Sequence, residues 1–147
     1  MIIIGVGSGP GMLTEETIRA IKVATAIHGS DRAIEIAQPF IAPGRDVGTI
    51  DDFKALHRLP DDVVVLSTGD PMLAGLGYLA GTVIPGIASL KVAAARLHIS
   101  LARTSVVVAH WGDMSRVCQR YLKRSGGEKL SISLWTRNST RVNCTSV

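Results

Sequence analysis

Hydrophobic positions in this chain fall in short unbroken runs separated by glycine-bearing turns. Val63, Val64, Val65 and Leu66 are four consecutive apolar residues, three of them β-branched. Such a run predicts a strand buried on both faces, as in a parallel sheet covered by helices. It gives way to Ser67-Thr68-Gly69-Asp70-Pro71. There Gly69 removes a side chain, Asp70 supplies a fixed acceptor, and Pro71 locks φ and ends ladder bonding. Residues 2–6 repeat the pattern and enter the loop Gly5-Val6-Gly7-Ser8-Gly9-Pro10-Gly11; residues 82–84 repeat it again, closed by Pro85-Gly86. Strands alternating with helices give a largely parallel sheet, whose successive C-terminal ends share one edge. In open α/β sheets ligands sit beyond that edge, so the three glycine turns form a candidate binding edge.

Helical periodicity fills the intervals. Thr14 is placed to cap a helix carrying Glu15 and Glu16 in its first turn, the favourable sign at the positive end of the dipole, with Ile18, Ile21 and then Thr25 toward one face. Residues 26–29 read as a short strand, and Ser30 as the cap of a second helix through Ala33, Ile34 and Ala37. Pro39, Pro43 and Gly44 mark a loop, and Asp51 opens a short helix ending near Leu59-Pro60. Residues 72–79, with Gly75 and Gly77, suit a loop or a short turn of helix. Ser89 begins an alanine-rich amphipathic helix over 90–97. Beyond a connection at 98–103, residues 105–110 predict a strand, 113–123 a helix and 130–136 a further strand. The fold expected is α/β, with an N-terminal domain at 1–102 and the start of a second α/β domain at 103–147, truncated or divergent because 137–147 are polar and without period.

Composition narrows the function classes. Apolar residues make up 46% of the 147 positions and charged residues 19%, enough for a packed core. The net charge of +4 favours an anionic partner only mildly, and aromatic residues at 4% leave few stacking platforms, so nucleic acid is not expected as a partner. No segment approaches the roughly 20 apolar residues of a membrane span. The N-terminal apolar run is too short for a signal sequence, which points to the cytoplasm. Cys118 and Cys144 lie far apart without the spacing of a zinc site, and no metal is expected.

The glycine loop invites comparison with a dinucleotide fingerprint. Counted from Gly5, however, the sixth position of GxGxxG is Pro10, and no helix begins inside the loop, which argues against a nicotinamide oxidoreductase. Asp70 has two readings, a ligand acceptor and a turn cap; three glycine turns in register favour the ligand. Gly69 and Gly86 are expected to act sterically, valine at either blocking a ligand while leaving the fold intact. His110, beside Trp111 and Gly112 at a strand end, is either a satisfied histidine or a contact for a substrate carboxylate.

Together, the glycine loop followed by Met12-Leu13-Thr14, the Ser67–Pro71 turn with Gly75 and Gly77 behind it, and the run Val83-Ile84-Pro85-Gly86-Ile87-Ala88-Ser89 resemble the tetrapyrrole methylase family. The resemblance covers residues 1 to about 125. It implies two α/β domains with a cofactor cleft between them, and methyl transfer from S-adenosyl-L-methionine to a tetrapyrrole (cobalt-precorrin) substrate in cobalamin biosynthesis. It further implies a homodimer. Carried over residue by residue, it assigns Ser8, Gly69, Asp70, Leu73, Ala88 and Ser89 to the cofactor and His110 to the substrate. Ser8 stands where the family usually has proline, and Ala88 where it usually has a hydroxyl. The chemistry calls for alignment rather than a nucleophilic triad, so no catalytic residue is assigned. A catalytically impaired homologue acting as a binding module is the alternative.

Overall fold

A computed structural model describes residues 1–108 and 130–134. The chain divides into two compact units, Met1–Val92 and Ala93–Val147. The first is built on a five-stranded sheet: β1 (Ile2–Gly5), β2 (Ala26–Gly29), β3 (Asp46–Thr49), β4 (Val63–Ser67) and β5 (Thr82–Ile84). Every strand pair is parallel, in the order β3-β2-β4-β1-β5.

All five residues of β4 are buried, as its uninterrupted apolar sequence requires of a strand covered on both faces. Alternation divides the core into two clusters. Ile4, Ile27, Val64, Leu66 and Ile84 meet Ile21, Ala33, Ile36 and Ala37 from the helices on one side. Ile3, Val63 and Val65 meet Leu56, Leu76 and Leu79 on the other. The first side is covered by α1 (Glu15–Val23) and α2 (Asp31–Ala37), and each starts at the expected cap: Thr14 accepts from the Thr17 N–H and Ser30 from the Ala33 N–H. Such caps each stabilise a helix by about 1 kcal/mol. The second side is covered by a 3-10 helix, Phe53–Arg58, capped by Asp52, and by the segment 72–79. That segment is a series of turns. Its glycines and the Asp70 and Pro71 carbonyls, which accept from Leu73, Ala74 and Leu76, hold the chain in turns rather than a helix.

One expectation is corrected. Thr25 is exposed; the inward face of α1 runs through Thr17, Ile21 and, at the cap, Ala24, so residues at i, i+4 and i+7 face the core. The stretch 46–49, to which the sequence pattern assigns no element, is the edge strand β3, paired only with β2 and mostly exposed. Backbone pairing on one side, not burial, makes it a strand, so it carries no apolar alternation to read.

In the second unit a 3-10 turn, Leu101–Arg103, leads into β6 (Thr104–Val108), which pairs in parallel with β7 (Leu130–Leu134). Strand is thus found at the described positions of the expected strands 105–110 and 130–136, while the rest of both and the expected helix at 113–123 lie outside the described residues. The helix α3 (Ser89–Arg96) starts where expected. Among the described residues no helix is long and apolar enough to cross a membrane.

Candidate functional site

The strand order places the three glycine turns side by side. β4, β1 and β5 are neighbours in the sheet, and all three run in the same direction, so the loops at 5–11, 67–71 and 84–89 leave from one edge. From β1 the chain goes on to β2, on the far side of β4; from β4 it goes on to β5, on the far side of β1. Adjacent strands whose connections diverge in this way open a crevice beyond their C-terminal ends.

The turns are tied to one another pairwise. The first and second meet in an antiparallel bridge, in which Gly69 N–H donates to the Gly7 carbonyl at 2.8 Å and Gly7 N–H to the Gly69 carbonyl at 3.2 Å. The first and third are joined by Ser8, whose hydroxyl donates to the Ile87 carbonyl at 2.9 Å. The second and third are joined by Asp70. Its Oδ1 accepts from Met72 N–H at 2.8 Å, and its Oδ2 accepts from Gly86 N–H at 3.3 Å. Three contacts thus close a triangle, which fixes the edge without filling it.

Close packing of backbone lies beneath it. A Cβ on Gly5 would approach Gly86 N to 2.5 Å and the Gly69 carbonyl oxygen to 2.6 Å. A Cβ on Gly86 would fall on that same oxygen and within 2.7 Å of the Gly5 carbonyl carbon. Gly69 differs. Its φ of 79° lies in the left-handed region, and a Cβ there would meet nothing nearer than Ser8 Oγ at 3.8 Å, Ser89 N at 3.9 Å and Ala88 Cα at 4.0 Å. The face of Gly69 therefore opens onto a space bordered by the first and third turns.

The structure brings together Ser8, Gly69, Ala88 and Ser89 around that space, with Asp70 beside it. Leu73 sits in the turn after Asp70, its N–H donating to the Asp70 carbonyl at 3.1 Å. His110 lies outside the described residues. The expectation for Gly86 is corrected: its missing side chain makes room for the Gly69 and Gly5 backbones, not for a ligand. Sequence reasoning also passed over Gly5, whose packing role has no signal beyond a glycine at a strand end. Asp70 carries out the cap role and a second one, since both carboxylate oxygens hold backbone N–H groups. Asp70→Ala is accordingly expected to reduce unfolding free energy by about 1–3 kcal/mol, because the half-buried Gly86 N–H loses its acceptor. Urea titration of the two proteins checks this: the variant midpoint falls, and an unchanged midpoint would show that neither bond holds the turns.

Ala88 stands at the start of α3, where its carbonyl accepts from the Lys91 and Val92 N–H groups. Its methyl side chain offers no acceptor to the first-turn donors, unlike Thr14 and Ser30 ahead of the other two helices. The border of the space at Ser89 N is therefore made of helix-start donors.

No curated protein matches the sequence. Among solved structures, the chain is similar to a cobalamin-biosynthesis precorrin-6Y methylase from Archaeoglobus fulgidus, with 34% identity and a TM-score of 0.66 over 75% of this chain and 64% of that one. A protein from Aeropyrum pernix aligns with 22% identity and a TM-score of 0.69, over 93% of this chain and 57% of that one. The uroporphyrin III C-methyl transferase of Thermus thermophilus aligns with 19% identity and a TM-score of 0.56, over 80% and 61%. The last two likenesses bear on fold alone. The chain spans less than two thirds of the length of each. The model of the tetrapyrrole (corrin/porphyrin) methylases matches residues 1–133, and the chain belongs to that family.

Proposed function

We propose that this chain binds S-adenosyl-L-methionine along the edge formed by its three glycine turns, and that it serves a C-methyltransferase acting on a cobalt-precorrin in cobalamin biosynthesis. The carrying observation is the open face of Gly69 between Ser8 and the Ala88-Ser89 start of α3, in a chain of the tetrapyrrole methylase family. The residues present suit this cofactor. Its carboxylate needs donors, which the N–H groups at the uncapped start of α3 supply with the favourable end of the helix dipole. Its amino group and ribose need acceptors, available from the Ser8 lone pairs left free by the bond to Ile87 and from the backbone carbonyls of the turns. Its adenosyl chain needs close backbone approach, which Gly69 permits.

The cofactor, when bound, supplies an electrophilic methyl group on a sulfonium. The chain's own work is positioning. The pairwise ties between the turns hold Ser8, Gly69 and Ser89 in one geometry before a ligand arrives, so little ordering cost remains to be met on binding. Holding methyl donor and acceptor carbon in line is the largest contribution such a site makes, since displacement at a sulfonium needs no general base to create the nucleophile.

The 34% identity to a precorrin-6Y methylase supports a corrin precursor as substrate. Within this reading the position methylated is C5 of cobalt-precorrin-7. This reading keeps His110 as the contact for a substrate carboxylate, on its place after β6. Incubation with S-adenosyl-L-methionine and a panel of cobalt-precorrins tests it: one substrate gains a single methyl group, located at C5 by carbon NMR with a labelled methyl donor. Methylation at another carbon would overturn the positional assignment, and no methylation of any corrin precursor would overturn the activity. The same reading takes the protein as a cytoplasmic homodimer, the commonest closed assembly. Light scattering is then expected to return twice the 15.6 kDa chain mass across a concentration series, and a constant monomer mass would contradict it.

A further inference from the structure

Thr17 is completely buried, one of two buried polar residues among those described, on the inward face of α1 otherwise lined by Ile21 and Ala24. Hydrophobic packing alone would favour valine there, a side chain of the same shape without a hydroxyl to satisfy. The hydroxyl of Thr17 has partners on both sides: it donates to the Gly5 carbonyl at 3.4 Å and accepts from the Thr14 hydroxyl at 3.0 Å. Gly5 is the last residue of β1 and forms the packed backbone contact with Gly69 and Gly86.

The ladder explains why that carbonyl needs a side chain. β1 pairs with β5 only as far as Ile4 and Ile84. Two residues on, the chain crosses over Gly5, and the Gly86 N–H donates to Asp70 instead of continuing the ladder. Both ends of the interrupted pairing are thus taken up by side chains, Asp70 for the N–H and Thr17 for the carbonyl. We infer that Thr17 is a positioning residue of the cofactor site. From beneath the sheet edge it fixes the Gly5 peptide, on which the Gly69 and Gly86 backbones rest, and so sets the height of the Gly69 face against Ser8 and Ser89. The inference rests on the cofactor assignment made above.

The test uses the whole chain and two substitutions, with S-adenosylhomocysteine binding followed by calorimetry and stability by thermal melting. Thr17→Val keeps the shape and removes the hydroxyl; Thr17→Ser keeps the hydroxyl and removes the methyl. Thr17→Val is expected to weaken binding roughly tenfold, the scale of one hydrogen bond lost from a preorganised site. Thr17→Ser is expected to bind within about twofold of the parent although it melts earlier, because the packing it loses does not reach the Gly5 carbonyl. Binding by Thr17→Val equal to the parent's would overturn the proposal, as would weakened binding by Thr17→Ser; the serine variant decides the matter if the valine variant does not fold. Failure of the unaltered chain to bind S-adenosylhomocysteine would overturn the cofactor assignment, and the role of Thr17 with it.

Discussion

Gly86→Ala is expected to cost the chain its folded sheet edge, with stability reduced by about 3 kcal/mol or more. A single methyl group does this because the atoms it meets are backbone. The new Cβ would fall on the Gly69 carbonyl oxygen and within 2.8 Å of Gly5 Cα, and none of these can swing aside as a flexible side chain would. Relief requires moving the third turn away from the other two, which lengthens the Gly86 to Asp70 bond and pulls on the Ser8 to Ile87 tie. Domain stabilities are on the order of 5–15 kcal/mol, so a loss of that size is a large share of the total. Urea denaturation followed by far-UV circular dichroism gives the result: a much lower midpoint or a chain already unfolded in buffer. A variant melting with the parent would mean that the three backbones are not packed as described.

Gly69 calls for the opposite outcome. Its φ of 79° is costly for most residues but tolerable for asparagine, and the space at its face is bordered at ordinary contact distances. Gly69→Asn is therefore expected to fold, with a midpoint within about 1 kcal/mol of the parent. Binding of S-adenosylhomocysteine should weaken by roughly 10- to 100-fold, because the new side chain occupies the region between Ser8 and Ser89 and overlap of that kind costs about 1–3 kcal/mol. Calorimetry on the folded variant reads this directly. Undiminished binding would move the cofactor away from the Gly69 face. The contrast between two glycines that look alike in sequence, one closed in by backbone and one open, is the sharpest consequence of the geometry.

That contrast was not legible beforehand, and the reason is physical. A glycine in sequence says that a Cβ is unwelcome; it does not say whether protein or ligand excludes it. The same limit applied to Asp70, whose turn chemistry is the same whether its second oxygen faces a ligand or the Gly86 N–H. What could be read were features with local causes. β4 declared itself by an unbroken β-branched run, and the helix starts at Thr14 and Ser30 by side chains suited to capping. The shared edge followed from parallel alternation, and the neighbouring order of β4, β1 and β5 was the part that only the folded chain supplied. β3 escaped because an edge strand held by one partner needs no apolar pattern, and Thr17 because a buried threonine within a helix looks like any small residue on its inward face.

Whether the three turns form one cofactor-binding edge is read from titration calorimetry of the parent chain, with S-adenosylhomocysteine and NAD in parallel. Saturable binding of S-adenosylhomocysteine at one site per chain is expected, with none of NAD and with the weakening stated above for Gly69→Asn at unchanged fold. A folded parent chain that gives no heat with S-adenosylhomocysteine, or that binds NAD instead, would contradict it.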